Sequence, residues 1–431
     1  MKRTLLTAFF SAALLCSPVF SHADPEPAPH GAPLDHASYM TAAEAPRTPS
    51  PGERLSYLDP LSCPAEEAVA AIDGRDAFVF VAWDAADGNT IEEAGAGPDI
   101  PIVVNKNVES YVRYFQTGGR KYFEKWLDRS KDYMTMLRGI LRENGLPEDL
   151  SYIAFIESGL NPTVKSKANA VGMWQFIRGT GRRYGLRVDW WIDERMDPEK
   201  ATLAAAKYFK SLYGQFGSWY LAAAGYNAGE GKVMRMMKRH DSEDFWVLAS
   251  RKRSFKRETR DYVPKFLAAL MIGKDPTAYG FEERPEGERL YDKAAIPTAT
   301  DLRVIAEATG ATAEEIKKLN PELLRRFTPP GYPDYEVKIP YGTKDRFIDY
   351  MSKTPPSKTM AFIAHKVRRG ESAYKIAKKY GASVEQVLYV NDLQNSKMRL
   401  KPSTVIMVPV KPGTRTAREA ETVLTNHDFQ G

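Results

Sequence analysis

Cysteine is nearly missing from this chain of 431 residues: only Cys16 and Cys63 occur, and neither belongs to a C-x-x-C pair. That excludes an intramolecular disulfide framework once any leader is removed, so core burial has to hold the fold. The six histidines (22, 30, 36, 240, 365 and 427) are scattered and form no H-E-x-x-H motif, so no metal and no cofactor is expected. Long apolar runs are missing beyond the first residues, and nothing after them would span a bilayer. Basic residues are scarce in one region only. Residues 24–100 hold three arginines against fifteen acids, a net charge of −12, whereas 361–410 hold nine Lys or Arg against three acids, a net charge of +6.

The start reads as a secretory signal over 1–23: Lys2-Arg3, an apolar run from Leu5 to Leu15, Pro18, and Ser21-His22-Ala23 as a small-x-small cleavage site. Cleavage would leave Cys63 alone and place the chain in the periplasm or cell envelope. A lipid anchor at Cys16 is disfavoured because Leu15 precedes it, where such sites take a small side chain. Membrane association is expected only through the N-terminus, by that anchor or an uncleaved leader. Secretion argues against nucleic acid as a partner. An anionic envelope polymer or a membrane surface suits the basic modules better. A monomer is expected.

The length suits two or three domains, each burying its own core. Residues 24–98 are acidic and Pro-rich, with nine prolines in 24–64, and read as an extended spacer. Between Ile72 and Trp83 the run AFVFVAW is a strand or docking segment without a functional account. Residues 99–275, with a core at 135–265, pattern as helices. The apolar period is strongest from Tyr122 to Leu141, and further helices are expected at Trp174–Tyr184, Pro198–Tyr213, Trp219–Gly225, Gly231–Arg239 and Arg260–Ile272. The basic run Arg251-Lys252-Arg253 with Lys256-Arg257 reads as a solvated approach to that last helix. A small module follows at 289–342, then a linker at 353–360, a βααβ unit at 361–410 and a charged tail at 411–431. The two small modules are repeats: 300–310 echoes 371–381, and each copy continues into a helix ending at Asn320 or Asn391.

The segment Pro147–Gln175 carries the chemistry. Asn144-Gly145 stops one helix, Pro147 suits the first position of the next, and Glu148-Asp149 suit its positive end. Leu150, Ile153 and Glu157 fall on one face beside Ala154, and Gly159 ends the helix. Burial and the negative end of the dipole would both raise the pKa of Glu157, the condition for a carboxylic acid that donates a proton to a glycosidic oxygen. By itself such a residue can equally be a helix-end glutamate in a salt bridge.

Four ordered motifs select the first reading: Glu157-Ser158-Gly159-Leu160-Asn161-Pro162, Gly172-Met173-Trp174-Gln175, Ala224-Gly225-Tyr226-Asn227-Ala228-Gly229 and Glu258-Thr259-x-x-Tyr262-Val263. Together they resemble the lytic murein transglycosylases, the family that includes soluble lytic transglycosylase and goose-type lysozyme. The resemblance implies a mainly α, lysozyme-like catalytic domain with a sugar cleft and Glu157 as the single acid and base. Peptidoglycan glycan strands would be the substrate, and 1,6-anhydro-N-acetylmuramic acid ends the product. It also implies substrate-binding roles for Ser158, Ser166, Met173, Gln175, Tyr226, Asn227 and Tyr262, with Tyr262 bonded to Glu157. The serines are equally well explained as helix-end caps, Gln175 as a helix-surface residue, and the tyrosines as core aromatics. Trp174, Trp190 and Trp191 suit packing better than sugar stacking.

The βααβ unit resembles LysM through His365-Lys366-Val367-x-x-Gly370-Glu371-Ser372, Ile376-Ala377-x-x-Tyr380-Gly381, Asn391-Asp392-Leu393 and Ile406-x-Val408-Pro409. That implies glycan binding by Gly370, Glu371, Ser372, Asn391, Asp392 and Leu393. The module at 289–342 is similar but degenerate and is assigned no binding. The expected architecture is thus multidomain: a mainly α lysozyme-like catalytic domain followed by one degenerate and one intact LysM module. Two other functions remain open at this point, a hydrolytic muramidase using a second carboxylate and a non-catalytic peptidoglycan-binding protein.

Overall fold

The computed structural model describes residues 99–251, 253–296, 298–332, 335–353 and 361–410, all within the unit Asp59–Gly431. The expected signal peptide, the acidic region 24–98 with its apolar run, nearly all of the linker 353–360 and the tail 411–431 lie outside the described residues.

Several helices begin where a side chain can absorb their unpaired N–H groups. Asn105 Oδ1 accepts from the backbone of Asn107 and Val108 to open α1 (Lys106–Gln116). The long α2 (Arg120–Glu143) turns one face inward, burying Phe123, Trp126, Leu127, Tyr133, Met134, Leu137 and Leu141. A single 3₁₀ turn, Glu148–Leu150, leads into α3 (Ser151–Ser158). Pro147 stays extended at ψ 130°, just outside the turn rather than at its first helical position. The expectation of one buried face on α3 understates the packing: every residue of it except Glu157 is buried. It is the central helix of the domain, packed against α2 and α9 (Arg257–Lys274).

Between them lie α4 (Arg178–Arg183), α5 (Pro198–Phe216), α6 (Trp219–Ala228), α7 (Glu230–His240) and α8 (Phe245–Ser250). Asp197 caps α5 from Oδ1 to the backbone of Glu199 and Lys200, with Pro198 in the first turn. The expected helix Trp174–Tyr184 is realised only in its second half. Residues 172–175 form a turn closed by an antiparallel bridge between Val171 and Phe176. The short α8 was not anticipated.

Beyond residue 290, β1 (Tyr291–Ala295) and β2 (Glu336–Pro340) pair antiparallel around α10 (Leu302–Thr309) and α11 (Ala313–Leu319). An unexpected helix, α12 (Lys344–Lys353), extends this module past 342 and buries Phe347. The second module pairs β3 (Ala361–Lys366) with β4 (Val405–Val410) around α13 (Ala373–Tyr380) and α14 (Val384–Val390). One asparagine builds both copies in the same way. Asn320 Nδ2 donates to the carbonyls of Ile316 and Lys338, each at 2.7 Å, and its Oδ1 accepts from Lys338 N at 2.8 Å. Asn391 Nδ2 donates to Val387 and Met407, and its Oδ1 accepts from Met407 N at 2.8 Å. The side chain stitches a helix end to the returning strand, which is why the repeat ends each helix on Asn.

The first module's core is shared with both of its neighbours, while the second module keeps a further core of its own around Val367, Ile376, Val387 and Val408. Trp191 and Ile192, from the segment before α5, pack with Ile305, Leu323, Phe327, Tyr335 and Val337 of the first module and with Phe362, Val390 and Met407 of the second. Asp193 N donates to Glu322 O at 2.9 Å and Leu324 N to Trp191 O at 2.8 Å, so the two backbones are paired. Lys338 Nζ meets Asp197 Oδ2 at 2.9 Å with both side chains buried. Trp190 lies beneath the Arg325 guanidinium at 3.9 Å. Apolar patches that each domain would have covered alone are covered jointly.

Replacing Asn320 with Ala removes three buried hydrogen bonds and takes the side-chain partner from both Lys338 N and Lys338 O, while Ile316 O keeps the residue 320 amide at 3.1 Å. The expected loss of stability is about 2–4 kcal/mol, read as a lower urea midpoint at unchanged slope. An unmoved midpoint would show that the clamp does not hold the module.

Candidate active site

Two glycines shape the floor of the site. Gly159 takes a left-handed conformation, φ 57°, to end α3, and a Cβ there would overlap the Trp126 indole. Its carbonyl accepts from Arg129 Nη1 at 2.9 Å. Gly172, φ 86°, lies against the backbone carbonyl of Arg195, where a Cβ would collide. The end of α3 and the 172–175 turn are then joined by Ser158, whose Oγ donates to Met173 O at 2.8 Å and accepts from Asn161 N at 3.1 Å. From beneath, Arg195 Nη1 donates to Asn169 O and Phe176 O, each at 3.0 Å, while its Nε and Nη2 hold Asp193 at 2.9 and 2.7 Å.

Above this floor Glu157 is half-buried. Tyr262, on α9, donates its hydroxyl to Glu157 Oε1 at 2.5 Å. The carboxyl makes no other hydrogen bond among the described residues, so Oε2 is the oxygen available to a ligand. Tyr226, on α6, donates to Trp174 O at 2.5 Å and stacks on Phe209 at 4.8 Å. Asn227 Oδ1 accepts from Thr259 Oγ1 at 2.9 Å, one turn before Tyr262 on α9. One turn after Tyr262, Lys265 Nζ lies 3.4 Å from Ile156 O, the carbonyl preceding Glu157.

Burial raises the Glu157 pKa from its ordinary value to about 7. The Tyr262 hydrogen bond and the Lys265 charge pull it back, and Glu258, exposed at the start of α9, pushes it slightly higher. Burial pushes the Tyr226 and Tyr262 hydroxyls well up, with the Glu157 charge adding to it. Lys265 is pulled down by burial. Near neutrality the site thus holds a carboxyl that can both give and take a proton, beside hydroxyls that stay protonated.

Of the residues expected from sequence, the structure brings Glu157, Tyr226, Asn227 and Tyr262 to one place. Four others sit below or beside it. Ser158 is buried with its hydroxyl spent on protein, so it positions the helix end and does not reach a ligand. Met173 is buried in the core and contributes its carbonyl to Ser158. Ser166 accepts from Ala170 N at 3.1 Å and closes its own loop. Gln175, at φ 47°, folds back to donate to Gly172 O at 2.8 Å, so it is a turn residue rather than a helix-surface one. Trp174 is a core residue, its Nε1 donating to Thr202 Oγ1. Lys265 was missed. Its spacing of three from Tyr262 was the signal available, since that places both on one face of a helix.

In the second small module the expected glycan residues also divide. Asn391 is the strand clamp described above, with all its polar groups used internally, and is corrected to a structural residue. Ser372 is buried and caps α13 at Lys375 N. Asp392 turns to Arg326 of the first module at 3.3 Å. Gly370, φ 85°, keeps an open loop, Leu393 is half-buried against the module's core, and Glu371 faces His365.

Residues 136–249 match the transglycosylase SLT domain, 291–355 the LysM-like domain of lytic transglycosylase MltD, and 365–409 the LysM domain. Membrane-bound lytic murein transglycosylase D of Escherichia coli K12 is 28% identical over 319 residues, covering 70% of this chain and 68% of its own. With an SLT domain ahead of two LysM-type modules, the chain is similar to the lytic murein transglycosylases. Peptidoglycan transglycosylase gp16 of Escherichia phage T7 is 37% identical over 144 residues, 32% of this lytic transglycosylase and 11% of the phage protein. The lytic transglycosylase Slt of Pseudomonas aeruginosa overlaps 34% of this chain and 24% of its own at 26% identity, with a TM-score of 0.28, too partial a superposition to carry weight. The mainly α, lysozyme-like architecture with C-terminal LysM modules is thereby established for this transglycosylase. Its SLT match ends before Tyr262 and Lys265, so α9 supplies two of the groups around Glu157 from outside the matched residues. Among the described residues no helix is long and apolar enough to cross a membrane.

A raised carboxyl pKa makes the folded state bind its proton more tightly than the unfolded chain does. The effect is nil below the unfolded value, about 4.5, grows as a destabilising contribution up to about 7, and levels off at about 3 kcal/mol. Glu157→Gln is therefore expected to share the parent's urea midpoint at about pH 4 and to exceed it at about pH 8. Equal midpoints at both would mean that Glu157 titrates normally.

Proposed function

We propose that this lytic transglycosylase cleaves the β-1,4 bond between N-acetylmuramic acid and N-acetylglucosamine in peptidoglycan, leaving 1,6-anhydro-N-acetylmuramic acid ends. Glu157 serves as both acid and base. The observation that carries this is the setting of Glu157: one carboxyl, protonated near neutrality by burial and held at Oε1 by Tyr262, with Oε2 available. Glu258 is the one other carboxylate whose charge is felt at Glu157, and it is exposed and makes no bond to the site among the described residues. A water-activating second carboxylate, as a hydrolytic muramidase would use, has no counterpart there.

In the first step Glu157 gives its proton to the bridging oxygen as the bond to C1 breaks, and becomes a carboxylate beside Tyr262 and Lys265. Tyr262 fixes its orientation and Lys265 offsets its charge in a place where water is scarce. In the second step the carboxylate takes the C6 hydroxyl proton while O6 closes on C1, which restores the acid without net consumption of water. Tyr226 and Asn227 border the sugar. Ser158, Ser166, Met173 and Gln175 act by holding the loop beneath it.

The division proposed is a catalytic domain at 99–275, with its core at 135–265, a LysM-like module from 289 through α12 to Lys353, a linker up to 360 and a LysM domain at 361–410. The LysM domain keeps the enzyme on the wall, with Asp392 the most exposed of its expected glycan contacts and Gly370, Glu371 and Leu393 half-buried. The protein works in the cell envelope, associated with membrane, if at all, through its N-terminus.

Mass spectrometry of muropeptides released from purified peptidoglycan tests the reaction. Products one water lighter than their reducing counterparts are expected, and reducing ends would establish a hydrolytic muramidase instead. Glu157→Gln should lower cleavage by about a thousandfold or more while leaving sedimentation with the wall intact, and retained cleavage would remove Glu157 as the acid. Lys265→Met should slow turnover and move the alkaline limb of the pH profile upward, because loss of the cation raises the Glu157 pKa further. An unmoved limb would make Lys265 structural only.

A further inference from the structure

Beside the first of the expected glycan loops, the LysM domain has a concavity of about 520 Å³. Lys366, Arg368, Arg369 and Lys379 line it, with His365 and Tyr380 between them. It lies where the end of β3 meets residues 402–403, fixed by Val367 N donating to Thr404 O and Ser403 N to Val367 O, both at 2.8 Å. The four cations are exposed, and among the described residues none forms an ion pair. Four like charges around one hollow repel one another unless an anion sits among them. The nearby carboxylate is already committed: Glu371 Oε2 accepts from His365 Nε2 at 2.8 Å and from Arg368 N at 2.7 Å. Tyr380 completes that chain with its hydroxyl 2.9 Å from His365 Nδ1, and Lys379 Nζ lies 5.2 Å from the Tyr380 ring centre. The wall of the hollow is therefore buttressed from inside, and Glu371 offsets only one of the four positive charges around it.

We infer that this hollow is an anion site for the carboxylates of peptidoglycan stem peptides, adjoining the expected glycan contacts, so that the LysM domain holds a strand by sugar and by stem together. The inference rests on the wall-binding reading above. Two guanidinium groups suit the paired oxygens of a carboxylate, and two ammonium groups add charge without demanding geometry. The neutral N-acetyl sugars of the strand offer nothing to such a site, whereas its peptide stems end in carboxylates. Lipid phosphate shares the oxyanion chemistry, but a hollow of this size admits a projecting side group better than a flat headgroup layer.

The test uses the full chain with Glu157→Gln, which leaves the polymer uncut, and adds Lys366→Gln, Arg369→Gln and Lys379→Gln. Binding is read by sedimentation with intact sacculi and with glycan strands stripped of their stems by an amidase, the lactyl carboxylates so freed being capped as neutral amides. On intact sacculi the neutralised variant should bind at least about tenfold more weakly, and on stripped strands it should match its parent. The charge-retaining set Lys366→Arg, Arg369→Lys and Lys379→Arg should keep most of the affinity for intact sacculi, with circular dichroism unchanged throughout. Unchanged binding to intact sacculi would overturn the proposal, as would an equal loss on stripped strands. A loss confined to anionic phospholipid vesicles, with sacculi unaffected, would assign the site to lipid and overturn it too. If the parent sediments with neither polymer, the wall-anchoring reading fails as well, an outcome separate from those in which only the hollow's role fails.

Discussion

The ion pair between Asp193 and Arg195, buried on both sides, is the constraint from which the rest of the structure follows. One side chain of the pair reaches up and the other's backbone reaches out. Arg195 fixes the carbonyls of Asn169 and Phe176 and so the loop that receives Ser158 and positions the end of α3. The Asp193 amide pairs with Glu322 and draws the first small module against the same segment. Neither charge could stand alone in this interior, since an unpaired buried ion costs about 3–5 kcal/mol. Catalytic geometry and module docking are thus two faces of one strap.

The acid at the top of that strap is a compromise between opposing fields. Burial of α3 on all sides favours the neutral carboxyl, and Tyr262 and Lys265 favour the charged one. Either influence alone would spoil a residue that must exchange a proton in both directions. Strong burial would fix the acid form, and strong pairing would fix the base. A pKa near neutrality is what remains when both act.

The helical order of the catalytic domain, the βααβ repeats and Glu157 with its tyrosines were legible in the sequence, because each rests on local periodicity or on a run of adjacent motif residues. What escaped depends on partners far along the chain. The segment Trp174–Tyr184 reads as one helix by composition, yet Gly172 is held against Arg195 by tertiary packing and its turn displaces the first half. Asn391 looks like a loop residue suited to sugar, and only the strand returning sixteen residues later reveals it as a clamp. Lys265 is one cation among many on a polar helix until α3 is placed beside it. The sharing of the first module's core with its neighbours leaves no mark in the sequence at all, because an apolar residue looks the same whether it covers its own domain or a neighbour's.

That sharing changes what the parts are. Trp191 from one end of the molecule, Phe327 from the middle and Phe362 from the last module meet in a common interior. A chain severed between 353 and 361 would not yield a clean blade and a clean handle: one fragment would carry Trp191 and Phe327 bared to water, the other Phe362, and each wound would be a surface for self-association.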